Sequence, residues 1–342
     1  MTSLQMENEG KIMKTWVKTV LKLLLAGGII AFLVYKTPAG FLDTLLKANR
    51  YWILAALVLY GIHIFANAWR WWILLRAQKI DCSLWIANSL TMQSFFFSLV
   101  LPGGAIGGDL VRVGFLTARI PKGRKFDGGF TILIDRFTGM IGIFALALGI
   151  LPLVWDTISN VKGIIEQFIY LLLAGSLAGI AASVVVFNHR MLEKISLYRK
   201  LSEFGDRISH GTYSKITNAL DSYANCRKEI VICILASIVL VNLILGVEAW
   251  CVAVAVTGQL PSFMVVLAAI TIGNIAGLLP TTPSGVGTRD LFVIPILQAG
   301  GMPYDAALAV SLTITAIIVL YNLSGGIFFI LTPLRKKENA HE

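Results

Sequence analysis

Apolar residues in this chain do not alternate with polar ones at a strand or helix period. They run in uninterrupted blocks of about 17–28 residues, the length a helix needs to cross about 30 Å of hydrocarbon. The blocks place membrane spans at about residues 16–36, 52–72, 128–154, 165–187, 230–257 and 305–331. Two further apolar stretches, 84–118 and 262–300, are too long for one span. Each is broken in its middle by Pro and Gly, in SFFFSLVLPGGAIGGDLVRVGFL and TIGNIAGLLPTTPSGVGTRDLFVIPIL, with no hydrophilic loop at the break.

Positive charge orients these segments, because Lys and Arg gather in cytoplasmic loops. Segments 11–22, 70–79, 112–125, 190–228 and 335–337 hold 4, 3, 5, 8 and 3 basic residues. The segments assigned outside hold only Lys36, Lys47, Arg50 and Lys162, while Arg136 and Arg289 lie within apolar stretches. The 70–79 and 112–125 segments are both basic, so 84–118 must enter from the inside and return there. By the same reasoning 262–300 enters from outside and returns to outside. The expected fold is an all-α polytopic membrane protein, with six full spans, two oppositely oriented re-entrant helical hairpins and both termini cytoplasmic. Residues 1–342 are expected to form a single integral domain of the cytoplasmic (inner or plasma) membrane. Within it, 188–228 reads as an amphipathic cytoplasmic linker, solvated or set against anionic lipid head groups.

Composition agrees: of 342 residues, 56% are hydrophobic and 14% charged, and mean hydropathy is +0.77, against about 25% charged in soluble domains. Soluble enzymes and nucleic-acid-binding modules are thereby excluded as descriptions of the whole. The net charge of +10 follows from the basic loops. The amino-terminal KTWVKTVLKLLLAGGIIAFLVY, without a clean small-residue cleavage site, reads as an uncleaved first span. Cys82, Cys226, Cys233 and Cys251 have no metal-ligand spacing, and no cofactor, metal or catalytic motif is expected.

The two breaks resemble each other. Leu101 and Pro102 precede Gly103, Gly104, Gly107, Gly108 and Asp109; Leu279 and Pro280 precede Pro283, Gly285, Gly287 and Asp290. A similar motif in opposite topology is the mark of an inverted repeat. Backbone that leaves the helix inside a bilayer exposes polar groups that protein or a wet cavity must satisfy. Asp109 and Thr288 are the expected N-caps of the returning helices, with Asp290 in the first turn. Helix ends of that kind, near midplane, suit an anion such as phosphate.

Charged residues accompany the breaks: Asp135 and Arg136 in TILIDRFTG, Glu248 in VNLILGVEAW, and Arg289 beside Asp290. Each costs roughly 2.5–3.5 kcal/mol at a helix centre on insertion scales, so they need partners or a wet cavity. They read either as a binding site, with Arg112 added, or as structural ion pairs such as Arg136 with Glu248 and Arg289 with Asp135. Arg112 has the further option of snorkelling to the cytoplasm. His63, Asn67, Gln93, Ser94, Asn242, Asn274, Tyr321 and Asn322 read as helix–helix contacts. Gly139, Gly142, Gly325 and Gly326 read as close approaches, and Trp52, Trp69, Trp71, Trp72, Trp85 and Trp155 as an interfacial belt.

LPGGAIGGDLVR (101–112), DRFTG (135–139) and LPTTPSGVGTRD (279–290) together resemble the signature stretches of the lysylphosphatidylglycerol synthase transmembrane-region family, also called flippase-like. The likeness spans almost the whole chain. One departure is the Arg289-Asp290 pair, where the family usually has Arg-Glu. The soluble synthase domain of the longer members is also missing from these 342 residues, so their aminoacyl transfer is not implied. The resemblance implies lipid translocation between leaflets. The cargo would be an aminoacylated phosphatidylglycerol, a polyprenyl-phosphate glycan or a similar amphiphile. The alternatives are an accessory subunit serving a lipid-modifying or glycosyltransferase enzyme, and an intramembrane transferase.

Overall fold

A computed structural model describes residues 46–101, 104–161, 164–187, 220–221, 223, 226–278 and 287–331. The expected span at 16–36, most of the 188–228 linker, and Pro102, Gly103, Pro280, Pro283 and Gly285 lie outside them. The described residues are helical throughout: α1 (Arg50–Ala77), α2 (Leu84–Val100), α3 (Ala105–Thr117), α4 (Lys125–Ile150), the short α5 (Trp155–Ser159), α6 (Ile164–Phe187), α7 (Arg227–Thr257), α8 (Phe263–Gly277), α9 (Asp290–Ala299) and α10 (Tyr304–Leu331). Helices α1, α4, α7 and α10 are long and apolar enough to cross a bilayer. At 28 residues α1 measures about 42 Å, more than the hydrocarbon needs.

Capping sets several ends. The side chain of Asn49 accepts from the Tyr51 amide and that of Ser83 from the Ile86 amide, while Gly258, at φ 66°, closes α7 in the left-handed conformation. Tertiary contacts then sort the ends into two faces. On the first, Arg124 donates to the Gln78 carbonyl, and Cys226 lies against the Ala77 carbonyl. On the second, the Asn49 amide donates to Ala255 O (3.0 Å), and Trp250 Nε1 donates to Pro261 O (2.9 Å).

Against these faces the broken stretches become two helical hairpins. Helices α2 and α3 fold back on each other, so that Ala87 and Leu90 meet Leu116 and Ile120 near the first face. Gly108 makes this possible, because a Cβ there would collide with the Ser94 carbonyl. Helices α8 and α9 pair likewise from the second face, where Gly300 meets Val265 and, deeper, Gly273 meets Arg289 and Val293. The ends of α2 and α3 that meet lie near the first face, and those of α8 and α9 near the second.

The outer surface is apolar. Along α1, Leu54, Val58, Ile62 and Phe65 are exposed, while Ala56, Tyr60, Ile64 and Trp71 on the opposite side are buried. Water penalises such a stripe and lipid tails do not. The expected close approaches are observed at Gly139, Gly142, Gly325 and Gly326, which face Arg70, Ser237, Met92 and Phe96. Trp71 departs from the belt reading: it is fully buried, whereas Trp85 and Trp155 are exposed.

Midway, α7 is interrupted by a π turn over Ser237–Leu243. One extra residue per turn lets Asn242 Nδ2 reach back to Ser237 O (2.7 Å), and His63 Nδ1 contacts Val241 O at 2.9 Å. A carbonyl can only accept, so His63 Nδ1 carries the hydrogen.

Candidate functional site

Two groups of buried charge stand beside the hairpins. In the first, the Asp135 carboxylate on α4 accepts from Arg70 Nε (2.9 Å) with one oxygen and from Arg112 Nη1 (3.2 Å) with the other. The Arg112 guanidinium lies 3.6 Å from the centre of the Trp71 ring, a cation–π contact strengthened by desolvation. Trp71 is fixed in turn by its indole N–H, which donates to Thr131 Oγ1 (3.0 Å). Among the described residues, Arg112 Nε and Nη2 have no hydrogen-bond partner. Next to this group, Arg136 forks both nitrogens onto Asp109, with Nη2 to Oδ1 at 2.8 Å. Burial separates the two assemblies: Arg70, Arg112 and Asp135 side chains are 4–7% exposed, Arg136 and Asp109 37% and 18%. Three guanidinium groups against two carboxylates leave one positive charge in excess.

The second group stands where α9 begins. Asp290 accepts from the Gly287 amide (2.9 Å), Ser311 Oγ (2.5 Å) and Thr315 Oγ1 (3.2 Å), and Arg289 Nη2 donates to Thr315 (2.7 Å). Arg289 is buried, with Nε unpartnered among the described residues. Glu248 on α7 is 0% exposed; neither of its oxygens has a hydrogen-bond partner there, and it meets the charge of Arg289 through space.

Between the groups runs one face of α1. Tyr60, His63, Asn67 and Arg70 recur at helical spacing over about 15 Å of axis. Tyr60 faces Glu248, Arg289 and Tyr321, and its ring stacks on His63 at 5.3 Å. Asn67 Nδ2 donates to His63 O (2.9 Å) and faces His63 Nε2 (3.3 Å). Arg70 completes the stripe inside the first group.

The seven predicted site residues thus fall into two groups, Asp109, Arg112, Asp135 and Arg136 in one and Glu248, Arg289 and Asp290 in the other. Neither cross-pairing named for the ion-pair alternative forms: Arg136 holds Asp109, not Glu248, and Asp135 holds Arg70 and Arg112, not Arg289. Arg112 does not snorkel. Asp109 is no cap either, since α3 begins four residues earlier, at Ala105 behind Gly104 (φ 54°). At α9 the N-cap position is Arg289 rather than Thr288, with Asp290 in the first turn as expected.

Sequence reasoning passed over Arg70, Trp71, Tyr60, Ser311 and Thr315. Arg70 falls at the junction of the 52–72 span and the basic 70–79 segment, and its spacing from His63 and Asn67 is the signal that places it on the span's polar face. Of the polar residues read as contacts between helices, Gln93 donates to Phe328 O (3.3 Å) and Tyr321 to Leu57 O (2.6 Å); Asn242 serves its own helix.

The described residues form an all-helical membrane protein, with four helices long and apolar enough to span a bilayer and a buried charge network. The chain belongs to the family described as the lysylphosphatidylglycerol synthase TM region, whose model matches residues 19–325. It is similar to a UPF0104 membrane protein of Methanocaldococcus jannaschii, 22% identical over 88% of this chain and 90% of the relative. It is also similar to one of Pyrococcus horikoshii, 24% identical over 89% and 95%. No solved structure matches it.

Proposed function

We propose that this protein moves a phosphate-bearing amphiphile between membrane leaflets. The observation that carries this reading is Arg112. Its guanidinium is held from one side by Asp135 and from below by Trp71, yet two of its N–H edges are unspent. A buried charge with free donors, in a group with one positive charge too many, is an anion site. The Asp109–Arg136 pair, the more exposed part, forms its mouth. In this reading the hairpins are re-entrant, the first opening to the cytoplasm and the second to the outside, and the basic loops and both termini are cytoplasmic. The hairpins rock about the head group, and acyl chains trail along the apolar surface. Asp109, Asp135, Asp290 and Glu248 orient the arginines or meet a cationic part of the head group. No bond of the lipid is made or broken.

Leaflet exchange in proteoliposomes tests this, with labelled phosphatidylglycerol, an aminoacylated phosphatidylglycerol and a polyprenyl phosphate as cargoes. Exchange of one class that falls tenfold or more in Arg112→Lys, which keeps the charge but loses the fork, is the expected result. Exchange equal to that of empty vesicles refutes transport by the isolated chain. Co-purification with a lipid-modifying or glycosyltransferase enzyme would then assign an accessory role, and a chemically altered lipid an intramembrane transferase.

A further inference from the structure

In the second group Glu248 is the side chain that makes no hydrogen bond among the described residues. Asp290 collects three donors, and Arg289 gives one nitrogen to Thr315. Glu248 is sealed from solvent with both oxygens unpartnered among the described residues. The groups that meet its charge are Arg289 at the start of α9, Tyr60 from α1 and Cys251 on its own helix; Tyr60 in turn faces Tyr321 from α10 and stacks on His63, and Asp290 follows Arg289 in the chain. Helix α8, also packed on α7, holds no titratable residue. Arg289 is the single cation in that set, and Asp290 already stands beside it. With Glu248 ionised the group carries one negative charge in excess; with Glu248 protonated it is neutral.

The same guanidinium is what the second hairpin offers an anionic head group. An ionised Glu248 competes for it and repels the phosphate, whereas a protonated Glu248 releases it. Resting on the transport reading above, we infer that Glu248 is a proton-coupling residue, and that one proton travels with each anionic head group. The proton from water on one side forms an O–H bond at a Glu248 oxygen and leaves to water on the other, so one anionic charge and one proton cross together without net charge. Linkage makes the effect reciprocal: the proton favours head-group binding by the factor by which the head group favours the proton.

The test uses the full chain in vesicles of phosphatidylethanolamine and phosphatidylglycerol, with a trapped pH-sensitive dye, fluorescent phosphatidylglycerol and protein-free vesicles as control. Outside acid is expected to drive phosphatidylglycerol into the inner leaflet, to a ratio of about tenfold per pH unit for one proton per lipid. The lumen is expected to acidify in these vesicles and not in vesicles of phosphatidylethanolamine alone carrying the same protein. Glu248→Gln is expected to abolish the response of exchange to pH, and Glu248→Asp, which keeps a carboxyl, to retain it. The wild-type dye signal decides the matter where the Gln variant does not fold. Exchange in the wild type that ignores the gradient and carries no protons overturns the coupling and leaves transport standing. A response that survives in folded Glu248→Gln overturns the assignment to this residue. Absence of exchange under every gradient overturns the transport reading and the coupling together.

Discussion

Asp135→Asn isolates what the first charge group contributes to the fold. The substitution keeps side-chain volume, so packing hardly changes, and removes the one negative charge held between Arg70 and Arg112. The amide oxygen can accept from one of the two guanidinium groups, and the amide nitrogen then confronts the other with hydrogens against hydrogens. Two cations, 4–7% exposed, are left without a counter-charge. Breaking a buried pair in this way costs about 3–5 kcal/mol. Asp109→Asn makes the same chemical change where the partner Arg136 is 37% exposed, so water replaces most of what is lost and the cost is nearer 1 kcal/mol. Reversible unfolding in mixed micelles, followed by tryptophan fluorescence, measures both. Equal costs, or an Asp135→Asn penalty below about 1 kcal/mol, would refute the reasoning, because neither is possible if burial decides what the charge is worth. Adding Arg112→Met to Asp135→Asn should recover part of the loss, since one unpaired cation goes with it.

Glycine contacts give a second contrast. Gly108→Ala and Gly325→Ala push a Cβ into the carbonyls of Ser94 and Met92 and should each cost about 1–3 kcal/mol. Gly114→Ala meets nothing within 4 Å and should be neutral or gain up to about 1 kcal/mol; equal thermal midpoints for all three would contradict the hairpin packing. Burial pushes the thiol of Cys82, in the turn before α2, up to about 11. As the sole cysteine it should therefore react with iodoacetamide near pH 8 about a hundredfold more slowly than an ordinary thiol, and a free-thiol rate would refute this. Single cysteines replacing Gly123 and Gln259 should label from opposite sides of the membrane, the first from the cytoplasm. Labelling of both from one side would break the assignment of hairpins to faces.

Four of the spans were legible because the bilayer imposes length and apolarity on them. Basic residues cluster at 70–79 and 112–125, and the bond from Arg124 to the Gln78 carbonyl brings those two segments together. Local capping misled at Asp109. Gly104 can adopt φ 54° and start the helix early, and Gly107 and Gly108, which on propensity oppose a helix, are kept in α3 because α2 packs too closely for a side chain at Gly108. Charge pairing was not legible at all. It depends on the rotation of each helix about its axis, and a shift of one residue turns a side chain by about 100°. The π turn of α7 was invisible for a similar reason: nothing in SIVLVNL departs from an ordinary apolar span, and the turn is sustained by His63 and Ser237 bonding across helices.

That turn sits where the two charge groups have to communicate. The halves of α7 on either side of Ser237–Leu243 serve different neighbours, with Cys233 and Ile230 packed on Phe130 and Ile134 near the first face, and Glu248 beside Arg289. A π turn can return to α by shedding one residue from the bulge, which rotates one half against the other without breaking the helix. His63 Nδ1, bonded to the Val241 carbonyl inside the bulge, holds the present arrangement from the polar stripe of α1. Rotation of the Glu248 half would alter its approach to Arg289 while leaving Asp135 and its two arginines in place. If so, His63→Leu frees the bulge, and hydrogen exchange at residues 237–243 should rise at least tenfold while the Asp135 contacts stay protected. Unchanged exchange at the bulge would show that the His63 bond does not hold it.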